Sequence, residues 1–242
     1  MDQWFEQKFR GSNMHHPVRR RRPKSTLSYT TILIILNVVA FFLFIIISEF
    51  VNQNKLVSWI ALMPSAILNG KDIWTFITSM FMHANLTHLF VNMVSLMFIG
   101  NFVEKLIGKK RFIWLYLIGG IFAGILFVAL VGLFGNTIIG AKIVGTPMTY
   151  AVGASGAIFA LGGLLAVLTP QLPVLVFFII PMPMWAAMGF LMFGLWALSL
   201  GVGLPIGNTA HLGGLIVGLA YGFYLKKKYP RKTQMISKYF AR

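Results

Sequence analysis

Gly153-Ala154-Ser155-Gly156 runs directly into the apolar stretch 157–168, so one hydroxyl flanked by glycines stands at the mouth of an uninterrupted hydrophobic segment. Together with the residues just before it, about 150–168, this reads as a membrane helix. Small residues in such a place have a plain explanation, because they let two membrane helices pack closely. The alternative is that Ser155 is a nucleophile, which requires a base at the same depth. Which explanation holds depends on what the rest of the chain brings to that level.

The 242 residues have room for one domain, and 57% hydrophobic against 11% charged residues is too apolar for a soluble globule. The chain reads as a polytopic, all-α membrane protein. Its 21 Lys+Arg against 5 Asp+Glu would suggest a nucleic-acid partner in a soluble protein. In a membrane protein the location of the charges matters more than their sum, and no nucleic acid is expected. With no cysteine, thiol chemistry and disulfides are not in play. The polar, basic start lacks the short apolar core and small-residue site of a cleavable signal, and none is expected.

Six runs have membrane length: about 31–49, 83–103, 112–134, 150–168, 184–200 and 208–225. The segment 51–80, with Trp59, Pro64, Asp72 and Trp74 among apolar residues, suits an interfacial loop with tryptophans at headgroup level. Residues 170–183 hold Pro170, Pro173, Pro181 and Pro183, which predicts a membrane-hugging connection instead of a seventh span. The predicted layout is a basic tail over 1–30, a six-span bundle over 31–225 and a second basic tail over 226–242. Six spans put both termini on one side. The first tail, the connection 105–111 and the last tail carry seven, four and seven Lys/Arg, eighteen of the 21. By the positive-inside rule both termini are cytoplasmic, in a multi-pass protein of the cell membrane.

That topology assigns depths. Span four begins outside, placing Ser155 about five residues in, on the order of 8 Å of helix rise. Span six also begins outside, with His211 about three residues in. Span two begins at the same surface with His83, His88 and Asn92; His88 and Asn92 are four apart and share a helix face, whereas His83 points elsewhere. Gly214, Gly218 and Gly222 recur every four residues on the His211 face, while Phe159 and Gly162 follow Ser155 at plus four and plus seven. If these faces meet, His211 reaches the Ser155 hydroxyl, and a neutral imidazole there can take its proton. None of Asp2, Glu6, Glu49, Asp72 and Glu104 falls where it would orient the histidine, so a dyad is expected instead of a triad. The Ser155 amide, Asn92 and His88 are the candidate oxyanion donors. Gly153 and Gly156 leave room for close backbone approach. A zinc protease would need two histidines four apart with a glutamate between them, and an aspartyl protease two aspartates inside spans; the sequence has neither, and no metal or cofactor is expected.

At these residues the chain resembles the rhomboid family of intramembrane serine proteases. Gly153-Ala154-Ser155-Gly156 is similar to the family's nucleophile motif, and His211 with Gly214 and Gly218 to its last-helix pattern. His88 with Asn92 resembles the second-helix pair, and His83 the upstream histidine. The resemblance covers about 31–225. It implies a six-helix fold in which Ser155 is nucleophile, His211 is base and Asn92 and His88 flank the oxyanion, with transmembrane proteins cleaved near the outer face of the bilayer. Two positions depart from the family pattern: Trp74 is followed by Thr75 where an arginine is common, and Phe159 stands where tyrosine is common. Two other functions use the same residues, a catalytically inactive rhomboid-like protein that binds membrane clients, and a transporter or proton channel with His88 and His211 as relays. The natural substrate and the oligomeric state are not legible in the sequence.

Overall fold

The computed structural model describes residues 27–177, 179–202 and 207–240. The arginine run 19–22 lies outside these residues, as do positions 203–206 of the connection between the last two spans. Four helices are long and apolar enough to cross a membrane: α1 (Tyr29–Ser48), α5 (Leu86–Ile107), α6 (Lys109–Phe134) and α9 (Met184–Gly201). Two more complete the six-helix bundle, α8 (Ser155–Leu168) and α10 (Asn208–Lys228). Short helices α2 (Gln53–Ile60), α3 (Pro64–Leu68) and α4 (Thr75–Thr78) form the interfacial loop; α7 (Ile138–Val144) follows α6, and α11 (Pro230–Phe240) follows α10. The protein is a multi-pass membrane protein.

Helix α8 is the axle. Twelve of its 14 residues are buried, and at 1.5 Å per residue it is only about 21 Å long, too short to cross a hydrocarbon core alone. Its neighbours approach through small residues. A side-chain carbon on Gly214 or Gly218 of α10 would run into the Gly156 or Ala160 carbonyl, and one on Gly156 would stand 2.6 Å from the Ala123 methyl of α6. Close backbone contact of this kind replaces the hydrophobic drive that lipid removes. The glycine face of α10 therefore meets α8 as expected, along the line of Gly156, Ala160, Gly163 and Val167. Gly162 does not belong to that face. It makes room for Met188 of α9, because α10 crosses α8 and runs one residue round from the Ser155 side.

The chain enters the bundle at a finished helix end. Ser28 caps α1, and the carboxylate of Glu104 on α5 accepts from the Tyr29 amide (3.0 Å), the Thr30 amide (2.8 Å) and the Thr30 hydroxyl (2.8 Å). A buried carboxylate is tolerable there because the helix start supplies both donors and a favourable dipole. Between α5 and α6, Gly108 takes φ +85°, so the chain reverses in one residue.

The connection 170–183 departs from an all-helical fold. Pro173–Val176 (β1) and Ile180–Pro183 (β2) pair antiparallel, from Pro173 opposite Pro183 to Val176 opposite Ile180. Prolines break helices but are accepted in a two-stranded ribbon, whose outer edges need no amide donors.

Candidate active site

The segment before Ser155 is held extended by backbone bonds to the interfacial loop. Leu62 and Ala151 exchange amides (3.1 and 2.8 Å), and the Gly153 amide donates to the Ser79 carbonyl (2.8 Å). Gly153 has φ +114°, a conformation that disfavours any side chain, and a Cβ there would stand 2.8 Å from the His88 ring. Helix α8 consequently begins at Ser155, and the five residues expected as its first turn lie outside the helix. The half-buried hydroxyl lies at the helix N-terminus instead of a turn and a half inside it. Ala154 provides no side-chain cap, and the first α8 amide to find a helical acceptor is that of Ile158, which donates to the Ala154 carbonyl. The amides of Ser155, Gly156 and Ala157 thus form the positive end of the helix.

His211, the fourth residue of α10, is 8% exposed, and its Nε2 lies 2.8 Å from Ser155 Oγ. One turn along α8, Phe159 stacks on the imidazole with centroids 4.4 Å apart and planes 6° from parallel. Among the described residues no hydrogen-bond partner meets His211 Nδ1, so the ring is oriented by stacking and packing and not by a carboxylate. For Nε2 to accept the serine proton, Nδ1 must carry the other hydrogen.

Of the second-helix residues, His88 lies beside Gly153, two residues before Ser155. Asn85 caps α5 by accepting from the His88 amide (2.8 Å), and the Ala84 amide approaches His88 Nδ1 at 3.5 Å. With Nδ1 placed as acceptor, the His88 proton sits on Nε2, the atom that lies beside Gly153. Asn92 is buried, and its Nδ2 donates to the His88 carbonyl (2.8 Å) within its own helix, which leaves the second amide hydrogen available. His83 differs from expectation. Because α5 starts at Leu86, His83 precedes the helix and folds back, 2% exposed, with its ring edge-on to His88 (centroids 5.1 Å, 65°).

At Thr75, the first departure from the family pattern, and at its neighbour Trp74, local contacts take over. Thr75 is fully buried and donates its hydroxyl to the Asp72 carbonyl (2.6 Å), while the Trp74 indole donates to the Trp59 carbonyl (2.8 Å). Sequence reasoning missed the Ser79 carbonyl, the Leu62 backbone and Glu104. The first two act through main-chain atoms and leave no residue signature.

Comparison with known proteins places this geometry. The rhomboid domain profile matches residues 70–228, more than half of the chain. The chain is 32% identical to RHOMBOID-like protein 6, mitochondrial, of Arabidopsis thaliana, over 66% of this chain and 46% of that protein. It is 30% identical to rhomboid protease GluP of Bacillus subtilis, over 79% of this chain and 33% of that one. Against rhomboid protease GlpG of Yersinia enterocolitica it is 24% identical, over 78% and 61% of the two chains. The matched stretch therefore spans less than two thirds of the length of each of these relatives. It nevertheless contains Ser155, His211, His88, Asn92 and the glycine-faced α10, and the chain belongs to the rhomboid family.

Proposed function

We propose that this protein is an intramembrane serine endopeptidase that hydrolyses single-span membrane proteins near the outer face of the bilayer. The observation that carries the reading is the 2.8 Å approach of His211 Nε2 to Ser155 Oγ at a helix N-terminus. In the reaction, Ser155 Oγ attacks the scissile carbonyl carbon as His211 Nε2 takes the hydroxyl proton. Negative charge forming on the carbonyl oxygen is met by the Ser155 amide, by the free Asn92 amide hydrogen and by His88 Nε2–H. Collapse breaks the peptide C–N bond, with the His211 proton going to the leaving amine. Water then attacks the acyl-serine with His211 again as base, releasing the acid and restoring the hydroxyl.

Residues 31–225 form the protease unit in this reading, and the basic stretches 1–30 and 226–242 are cytoplasmic tails of a cell-membrane protein. The distribution of Lys and Arg supports that orientation. Substrate segments carry small or helix-breaking residues near the cut, because a regular helix hides its carbonyls in hydrogen bonds. The test uses purified protein and Ser155→Ala with a single-span substrate in detergent or liposomes. Cleavage by the wild type and none by the variant is expected. Undiminished cleavage by the variant would falsify the mechanism, and an inert wild type that still binds the substrate points to the client-binding alternative.

A further inference from the structure

At the end of the bundle remote from Ser155, a cavity of about 350 Å³ is walled by Lys109, Lys110 and Arg111 from the start of α6 and by Tyr229 and Lys232 from the junction of α10 and α11. Seventeen residues of α10 separate His211 from Lys228, so the cavity lies about 26 Å from the dyad and shares no residue with it. Charges that only fix topology can sit anywhere on a loop. Here two segments far apart in the sequence gather four cations around one concavity, three of them half-buried. Arg111 is held in place with its guanidinium over the Tyr229 ring (5.8 Å). Lys109 is already engaged, donating to the Leu27 carbonyl (3.0 Å) and lying over the Tyr29 ring (5.5 Å).

We propose that this cavity binds the phosphate group of an anionic ligand at the membrane surface. Lys110 and Arg111 are its direct donors, and Lys109 and Lys232 add charge. A guanidinium and an ammonium on one wall match the several acceptor oxygens of a phosphate. The level of the cavity, where membrane helices end, is where phospholipid headgroups lie. The same chemistry serves a lipid headgroup and a soluble phosphate compound.

The experiment measures lipid retention by native mass spectrometry of the full-length protein in detergent with phosphatidylglycerol or phosphatidylcholine, with and without inorganic phosphate. Wild type is expected to retain phosphatidylglycerol about tenfold better, and Lys110→Gln/Arg111→Gln to lose that preference. Lys226→Gln/Lys227→Gln removes the same charge from the same end outside the cavity and is expected to keep the preference within about twofold. A phosphatidylglycerol preference that inorganic phosphate does not compete away identifies a lipid headgroup. Inorganic phosphate binding that depends on Lys110 and Arg111, without lipid preference, identifies a soluble phosphate. Equal losses in the two double variants, or no discrimination and no phosphate binding, overturn the site. Should the first double variant not fold, Lys110→Gln alone, on an exposed side chain, is expected to cost about threefold. Unchanged retention in that variant likewise overturns the site.

Discussion

At the start of α1 the amides of Tyr29 and Thr30 donate to the buried carboxylate of Glu104, whereas at the start of α8 Ala154 offers no side chain to the amides of Ser155 and its neighbours. Each helix has buried residues in its first turn, Thr30 in α1 and Gly156 and Ala157 in α8. One start is satisfied permanently by an anion built into the chain. The other is left open next to a hydroxyl and an imidazole, where an oxyanion that exists only during reaction can use it. In the proposed mechanism the difference separates a stabilising helix end from a reactive one, and each half of it can be broken by substitution.

The largest effect is expected at the open end. His211→Gln removes the proton acceptor while keeping a polar side chain, and proteolysis should fall by about 10⁴-fold or more. The pH profile gives a second readout. A neutral imidazole is required, so the wild-type rate should fall tenfold per pH unit on the acid side of the histidine's titration. The residual rate of the variant should lack that limb. The same limb in His211→Gln would assign it to another group.

Next come the proposed oxyanion donors. In the proposed mechanism Asn92→Ala and His88→Ala each remove an oxyanion donor and should lower kcat by about 10²–10³-fold with little change in KM. Little change in unfolding temperature is expected for Asn92→Ala, since its one hydrogen bond is to a carbonyl of its own helix. Glu104→Gln acts on the closed end and should invert this pattern. Losing the charge that holds three donors should cost about 2 kcal/mol of stability. The kcat of the folded fraction should stay within about twofold, because Glu104 lies at the far end of α5 from His88. A catalytic loss in Glu104→Gln as large as in Asn92→Ala, with no loss of stability, would erase the distinction between the two helix starts.

The contrast was only half legible in the sequence. Ser155, His211, His88 and Asn92 stood out because polar groups in apolar runs are few, and the four-residue glycine period announced the close approach of α10. The reason Ser155 sits at a helix start was hidden. It lies in the φ of Gly153 and in main-chain bonds to Leu62 and Ser79, which any residue type can make. Glu104 looked idle for the same reason, since its partners include two backbone amides. Proline spacing over 170–183 excluded a helix but carried no register from which to infer a hairpin. His83 lies against His88 instead of pointing elsewhere because the helix stops at the Asn85 cap, two residues after it, and helical spacing does not apply there.

The smallest expected effect tests what orients His211 in the absence of an acceptor for Nδ1 among the described residues. Phe159 covers the imidazole face to face, so its contribution is positional and should survive any flat ring. Phe159→Tyr should therefore leave kcat within about threefold, while Phe159→Leu, which fills much of the same space without a ring, should lower it by about tenfold. The outcome also bears on the departure from the family pattern, because a hydroxyl that mattered would raise the activity of the tyrosine variant well above that of the wild type. Equal activity in Phe159→Leu and wild type would mean that helix packing at Gly214 and Gly218 alone holds the histidine. In that case the reactive helix end would depend on the same small-residue contacts as the rest of the bundle, with no orienting group of its own.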